Sequence, residues 1–144
     1  MTARRHAAVV LVLCAALTSC SRHAAQGRQI GVWGLDYESM PEYQELLKQT
    51  EGLPERQRKM RAAMAMVEAE VIVEFTRDTL IIQKIVGQRA VPYSVRSSST
   101  DEVVLEAQNG NQWKQLTLTL EGSDTMITDL GMGGGQRLRF KRMY

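Results

Sequence analysis

From about residue 71 onward, apolar side chains recur at every second position, and this period governs the second half of the chain. Val71, Val73 and Phe75 alternate with Ile72, Glu74 and Thr76. Val91, Tyr93 and Val95 form another set, as do Val103 and Leu105 ahead of Glu106. Leu116, Leu118 and Leu120 alternate with Thr117 and Thr119, and Leu138 and Phe140 with Arg137, Arg139 and Lys141. Successive side chains of a strand point to opposite faces, so each set makes one face oily and the other wet. The stretch 79–85 is β-branched and apolar, and 125–130 is a short further strand. Turn chemistry separates them: Arg77-Asp78, Gly87, a loop over 97–101, Asn109-Gly110-Asn111, Gly122-Ser123-Asp124 and the glycine-rich 131–135. With a first strand over 30–36 the count reaches about eight. Short, evenly spaced strands of this kind predict a mainly β fold, either a β-barrel or a strongly curved antiparallel meander.

A helix pair is expected between the first strand and the second. Ser39 with Glu42 has the spacing of a capping box, and Met40, Tyr43, Leu46 and Leu47 form an apolar stripe behind it. Gly52 suits the position after a helix end, and Pro54 suits the first turn of the next helix. Met60, Met64, Val67 and Val71 then recur at helical spacing. Methionine fills irregular gaps, so this stripe is expected in the core, with a soft ligand surface as the other reading. Arg56, Arg58, Lys59 and Arg61 crowd the first turns, where positive charge opposes the helix dipole. They read as a solvated face, or as a contact with anionic headgroups.

The N-terminus has a different grammar. Arg4 and Arg5 precede an uncharged apolar run over 7–17, and Leu17-Thr18-Ser19-Cys20 follows. The run is about half the roughly 20 residues that a spanning helix needs. A charged start, a short apolar centre and small residues make a signal peptide. Leucine, two small residues and cysteine in this register resemble the lipobox of bacterial lipoproteins. The resemblance implies cleavage after residue 19 and acylation of Cys20, and Ser21 implies release to the outer membrane, facing the periplasm. Two or three acyl chains anchor stably where one does not. Residues 21–29 hold no apolar side chain larger than alanine, so 20–29 read as the acylated cysteine and a flexible tether, with one domain over 30–144. Extended at about 3.4 Å per residue, that tether reaches some 30 Å.

Loss of such a leader changes the chemical inventory. Cys14 and His6 leave with it, Cys20 is blocked by lipid, and the last histidine, His23, sits in the tether. The domain then has neither cysteine nor histidine, which removes a disulfide, a Cys/His zinc site, a Ser-His-Asp or Cys-His nucleophile and a histidine base. Of 18 Lys and Arg, Arg4 and Arg5 are lost, leaving 16 against 16 Asp and Glu. No overall field favours nucleic acid. The glycines of 131–135 lack the lysine pattern and following helix of a phosphate loop. Glu68, Glu70 and Glu74 read as surface carboxylates. No catalytic residue, metal site or cofactor is expected.

Gly31-Val32-Trp33 in the first strand, a helix pair, a run of hairpins and an arginine in the last strand are similar to the calycins, the lipocalin and fatty-acid-binding-protein group. In lipocalins a late arginine packs across this tryptophan and closes one barrel end, and the resemblance places Arg142 on Trp33. Arg142 is in phase with Leu138 and Phe140, so it points inward, and an inward guanidinium needs a partner. A second reading uses Arg142-Met143-Tyr144, which resembles the Arg-x-Tyr that holds a ligand carboxylate in fatty-acid-binding proteins. That family has ten strands, and Tyr144 is the last residue here.

Two functions follow. In the first, the barrel holds a small apolar ligand among inward residues including Phe75, Tyr93, Leu105, Leu118 and Phe140, with Arg142 and Tyr144 as polar contacts and the helix pair as a lid. Eight strands leave room for one small ligand or for packed side chains alone. In the second, side chains fill the barrel, and an outer face, with Trp113 opposite the leucines, binds an envelope protein.

Overall fold

The computed structural model describes residues 27–130 and 135–144. The leader, Cys20, most of the tether and positions 131–134 of the glycine-rich loop lie outside the described residues.

The strands form a closed eight-stranded antiparallel barrel. In chain order they are β1 (Gly31–Leu35), β2 (Val71–Phe75), β3 (Thr79–Lys84), β4 (Gly87–Ser98), β5 (Glu102–Asn109), β6 (Gln112–Glu121), β7 (Thr125–Thr128) and β8 (Leu138–Arg142). Each pairs with the next, and β8 returns to β1 with Trp33 opposite Arg142 and Leu35 opposite Phe140. Closure satisfies the strand edges that an open meander would leave exposed. It also sends one side-chain phase of every strand inside. Trp33, Val73, Val103, Leu105, Leu118, Met126 and Phe140 are fully buried there.

Up-and-down order gives the barrel two distinct ends. Residues 27–30, the turns at 76–78, 99–101 and 122–124, and the C-terminus gather at one end. The helix pair, the hairpin tips at 85–86 and 110–111, and residues 129–130 after β7 lie at the other. Gln29, grouped with the tether by composition, is 1% exposed at the first end.

The helix pair sits between β1 and β2 as α1 (Pro41–Gln49) and α2 (Glu55–Ala65), flanked by short 3-10 turns at Tyr37–Ser39 and Val67–Ala69. Its details correct the expectations. The capping box does not form: the Ser39 hydroxyl donates to the Asp36 carbonyl at 2.7 Å, and α1 starts after Met40 with Pro41 in its first turn. Proline's fixed φ and missing N–H suit that position without a side-chain cap. Thr50, not Gly52, ends the helix, its hydroxyl donating back to the carbonyls of Leu46 and Leu47. Pro54 stands one residue before α2, at its N-cap.

The methionine stripe is overturned. Met60, Met64 and Val67 are 57%, 69% and 46% exposed. The opposite face is the buried one: Ala62 and Met66 close on Tyr43, with Leu46 and Leu47 alongside. Alanine lets two helices approach closely, and the barrel keeps its own separate core, joined to this one through Met40.

Candidate functional site

At the end where the chain enters the barrel, Trp33 is fully buried and its indole N–H donates to the Gln29 carbonyl at 2.8 Å. The Arg142 guanidinium lies 4.2 Å from the centre of its ring. Such a contact is worth about 0.5–2 kcal/mol. Three backbone carbonyls accept hydrogen bonds from the guanidinium: Ser123 from Nε at 2.8 Å, Ile30 from Nη1 at 2.8 Å and Arg28 from Nη2 at 2.6 Å. Arg28 in turn donates to the carbonyls of Gly122 and Thr100. These bonds draw the N-terminal segment, the β6–β7 turn and the last strand into one plug.

Gly31 is part of the same device. Its φ of +137° belongs to a region that other residues rarely adopt, and a Cβ there would lie 2.5 Å from Arg142 Nη1. Glycine two residues before the tryptophan is what leaves room for the arginine.

A depression of about 290 Å³ remains beside this plug, lined by Arg28, Trp33, Leu120, Ser123, Asp124 and Arg142 among others. Tyr144 is 82% exposed, so Arg142 and Tyr144 do not converge on an enclosed interior site.

The neighbouring interior is solid. Phe75, Leu105, Leu118 and Phe140 are at most 1% exposed. Tyr93 meets Phe75 edge-on at 5.7 Å and donates its hydroxyl to the Thr76 carbonyl. Burial pushes its phenol above the usual tyrosine range. These five expected ligand-lining residues fill space, and none lines the cavity described next.

The opposite half is hollow. A cavity of about 390 Å³ opens between β3, β4, β5 and β6, within the roughly 300–1,000 Å³ of small-molecule sites. Leu80, Val91 and Ala107 are its buried inner surface, and Ile82, Leu116 and Leu130 are half-buried walls. Val91 and Leu116 belong to the inward set read from the sequence. The space exists because side chains shrink toward this end: Ala107 occupies the inward phase of β5 two residues beyond Leu105, and Gly87 faces Lys84 at the tip of β3. No residue of the helix pair lines the cavity, because the pair is bound to the β1–β2 side and packs on itself.

Polar residues and the exposed Val86 ring the mouth. Lys84, Arg89, Asn109 and Lys114 continue the inward phases of β3, β4, β5 and β6, and Gln88 lies beside them. Arg89 donates to the Asn109 side-chain oxygen. Neither lysine is ion-paired among the described residues. Alternation carried this signal: Leu80-x-Ile82-x-Lys84, Arg89-x-Val91 and Lys114-x-Leu116 each end an inward row with a cation. A reading confined to apolar positions stops one residue short of it.

Trp113 takes the other phase and is 53% exposed on the outer face. Among the described residues no cluster of metal-ligating side chains occurs, and no helix is long and apolar enough to cross a membrane.

No protein-family model, curated protein sequence or solved structure matches this chain.

Proposed function

We propose that the chain is a lipid-anchored lipoprotein of the bacterial envelope, held by acylated Cys20, whose barrel binds a small apolar ligand and performs no chemistry on it. The observation that carries the ligand reading is the apolar cavity of about 390 Å³ beyond the packed middle of the barrel. A filled barrel would have no use for an opening walled by Ile82, Leu116 and Leu130, whose exposed apolar area costs stability. The leader grammar ending in Leu17-Thr18-Ser19-Cys20 supports the anchor, and Ser21 supports an outer-membrane address facing the periplasm. Residues 27–30 enter the barrel at the plugged end, opposite the cavity mouth. The calycin likeness supports the same reading through Gly31, Trp33 and Arg142, whose contacts give that motif a physical purpose.

Two measurements test this. Palmitate labelling in a bacterial host should mark the chain, and Cys20→Ala should abolish the label. Native mass spectrometry of the full chain should show a co-purified small molecule bound one to one. Absence of the label removes the anchor, and a barrel that never carries or takes up an apolar molecule removes the ligand reading.

A second reading, a lipoprotein that docks on an envelope protein, is favoured by one observation, the half-exposed Trp113 on the outer face of β6. Trp113→Ala would then lower recovery of a crosslinked partner and leave ligand content unchanged.

A further inference from the structure

The cavity is apolar in depth and cationic at its lip, and the two properties come from the same register positions. On β3 the inward row reads Leu80, Ile82, Lys84; on β4 it reads Val91 then Arg89; on β6 it reads Leu118, Leu116, Lys114. Arg89 stands opposite Ile82 and Lys114 opposite Ala107, so the cations border the oily walls directly. No carboxylate lines the cavity. Apart from Asp129, whose neighbour Leu130 lines the cavity, no acidic residue forms an ion pair with Lys84, Arg89 or Lys114 among the described residues. A surface made only for solubility would mix the signs. Three positive groups thus crowd one opening, in a chain whose 16 remaining cations and 16 carboxylates balance once Arg4 and Arg5 leave with the leader.

We infer that the ligand is a single-chain amphiphile with an anionic head, a carboxylate or phosphate, bound tail-inward with its head at the ring of Lys84, Arg89 and Lys114. This deepens the ligand reading and rests on it. The apolar tail displaces water from Leu80, Ala107 and Leu116, and the head stays hydrated at the lip. Placing the head there avoids burying a charge, the step that makes deep carboxylate sites costly. It also assigns the anion to the end opposite Arg142, whose guanidinium is already committed to Trp33 and three carbonyls. Asn109 orients Arg89 across the opening and adds no charge. Exposed ion pairs are individually weak, so three cations acting on one head should give about a tenfold preference over a neutral head on the same tail.

The test uses the full chain held in phosphatidylcholine nanodiscs, with decanoate, decanol and decyltrimethylammonium each carrying a diazirine at the tail end. Photolabelling of the β3, β5 and β6 peptides is measured against free probe concentration. Decanoate should half-saturate at about one tenth the concentration of decanol, and the ammonium probe should label least. The ratio should fall toward one in 1 M salt, where the screening length drops to about 3 Å. It should also fall toward one in the Lys84→Gln, Arg89→Gln, Lys114→Gln triple variant. The salt arm needs no variant and stands if the triple variant fails to fold. Equal labelling by decanoate and decanol overturns this inference and leaves the ligand reading intact. Failure of every probe to label the cavity overturns both. Capture of phosphatidylglycerol vesicles by the ring, without a decanoate preference, assigns the cations to a bilayer and overturns the bound-monomer proposal.

Discussion

Replacing Gly31 with alanine should be far more damaging than its small size suggests. The backbone there has φ +137°, and the new Cβ would sit 2.5 Å from Arg142 Nη1 and 3.3 Å from the Tyr144 carbonyl oxygen. Holding a non-glycine residue in that region costs on the order of 1–3 kcal/mol. The guanidinium must also move. It then loses its contact with Trp33, about 0.5–2 kcal/mol, and strains the bonds to Ile30, Arg28 and Ser123, of which at least one charge-assisted bond is lost at roughly 1.5–3 kcal/mol. Together these shares come to about 3–8 kcal/mol, less what the flexible guanidinium recovers by relaxing. Urea unfolding followed by tryptophan fluorescence measures it, since Trp33 passes from full burial to water. A double-mutant cycle isolates the cause. In an Arg142→Met background Gly31→Ala should cost only the backbone share, giving a coupling of at least about 1 kcal/mol. An alanine cost under about 1 kcal/mol, or the same cost in both backgrounds, would refute the idea that Gly31 exists to admit the arginine.

The two halves of the barrel should respond differently to truncation. Leu118→Ala, in the fully buried half, should cost about 2–5 kcal/mol, whereas Leu116→Ala on the half-buried cavity wall should cost about half as much, both read from urea midpoints. Ala107→Leu should fill empty space, change unfolding free energy by less than about 1 kcal/mol because nothing is overpacked, and abolish photolabelling of the cavity. Burial raises the Tyr93 pKa in the folded state, so the folded chain holds that proton to higher pH than the unfolded one. Its stabilising share is intact below about pH 10 and is lost as pH rises through the folded value. Urea midpoints from pH 8 to 11 should fall, and Tyr93→Phe should flatten the fall.

Period two was the most legible part of this sequence because a closed barrel forces it. Each strand has one dry side, and a slip of one residue would turn Leu118 outward and Thr117 inward, so alternation fixes both face and register. The helix pair offered no such constraint. Met60, Met64 and Val67 share a helical face with period as good as that of Ala62 and Met66, and periodicity cannot say which face meets a neighbour. Tyr43 decides it, and Tyr43 lies on another element, so the choice is tertiary. The same limit applied to the cavity. Inward phase was readable for Phe75, Leu105 and Val91 alike, but whether an inward side chain fills space or lines it depends on what stands across the barrel. Leu105 meets full-sized neighbours such as Leu116 in the ladder, while one step higher Ala107 meets Lys114, whose charge keeps its end at the rim. At the cavity end, then, Ala107 has an exposed lysine rather than an aliphatic side chain across the ladder, and the space that its own small side chain leaves is not filled from β6. The hollow and its charged lip thus arise together where the inward rows of β3, β4 and β6 end in Lys84, Arg89 and Lys114 around the small Ala107 and Gly87.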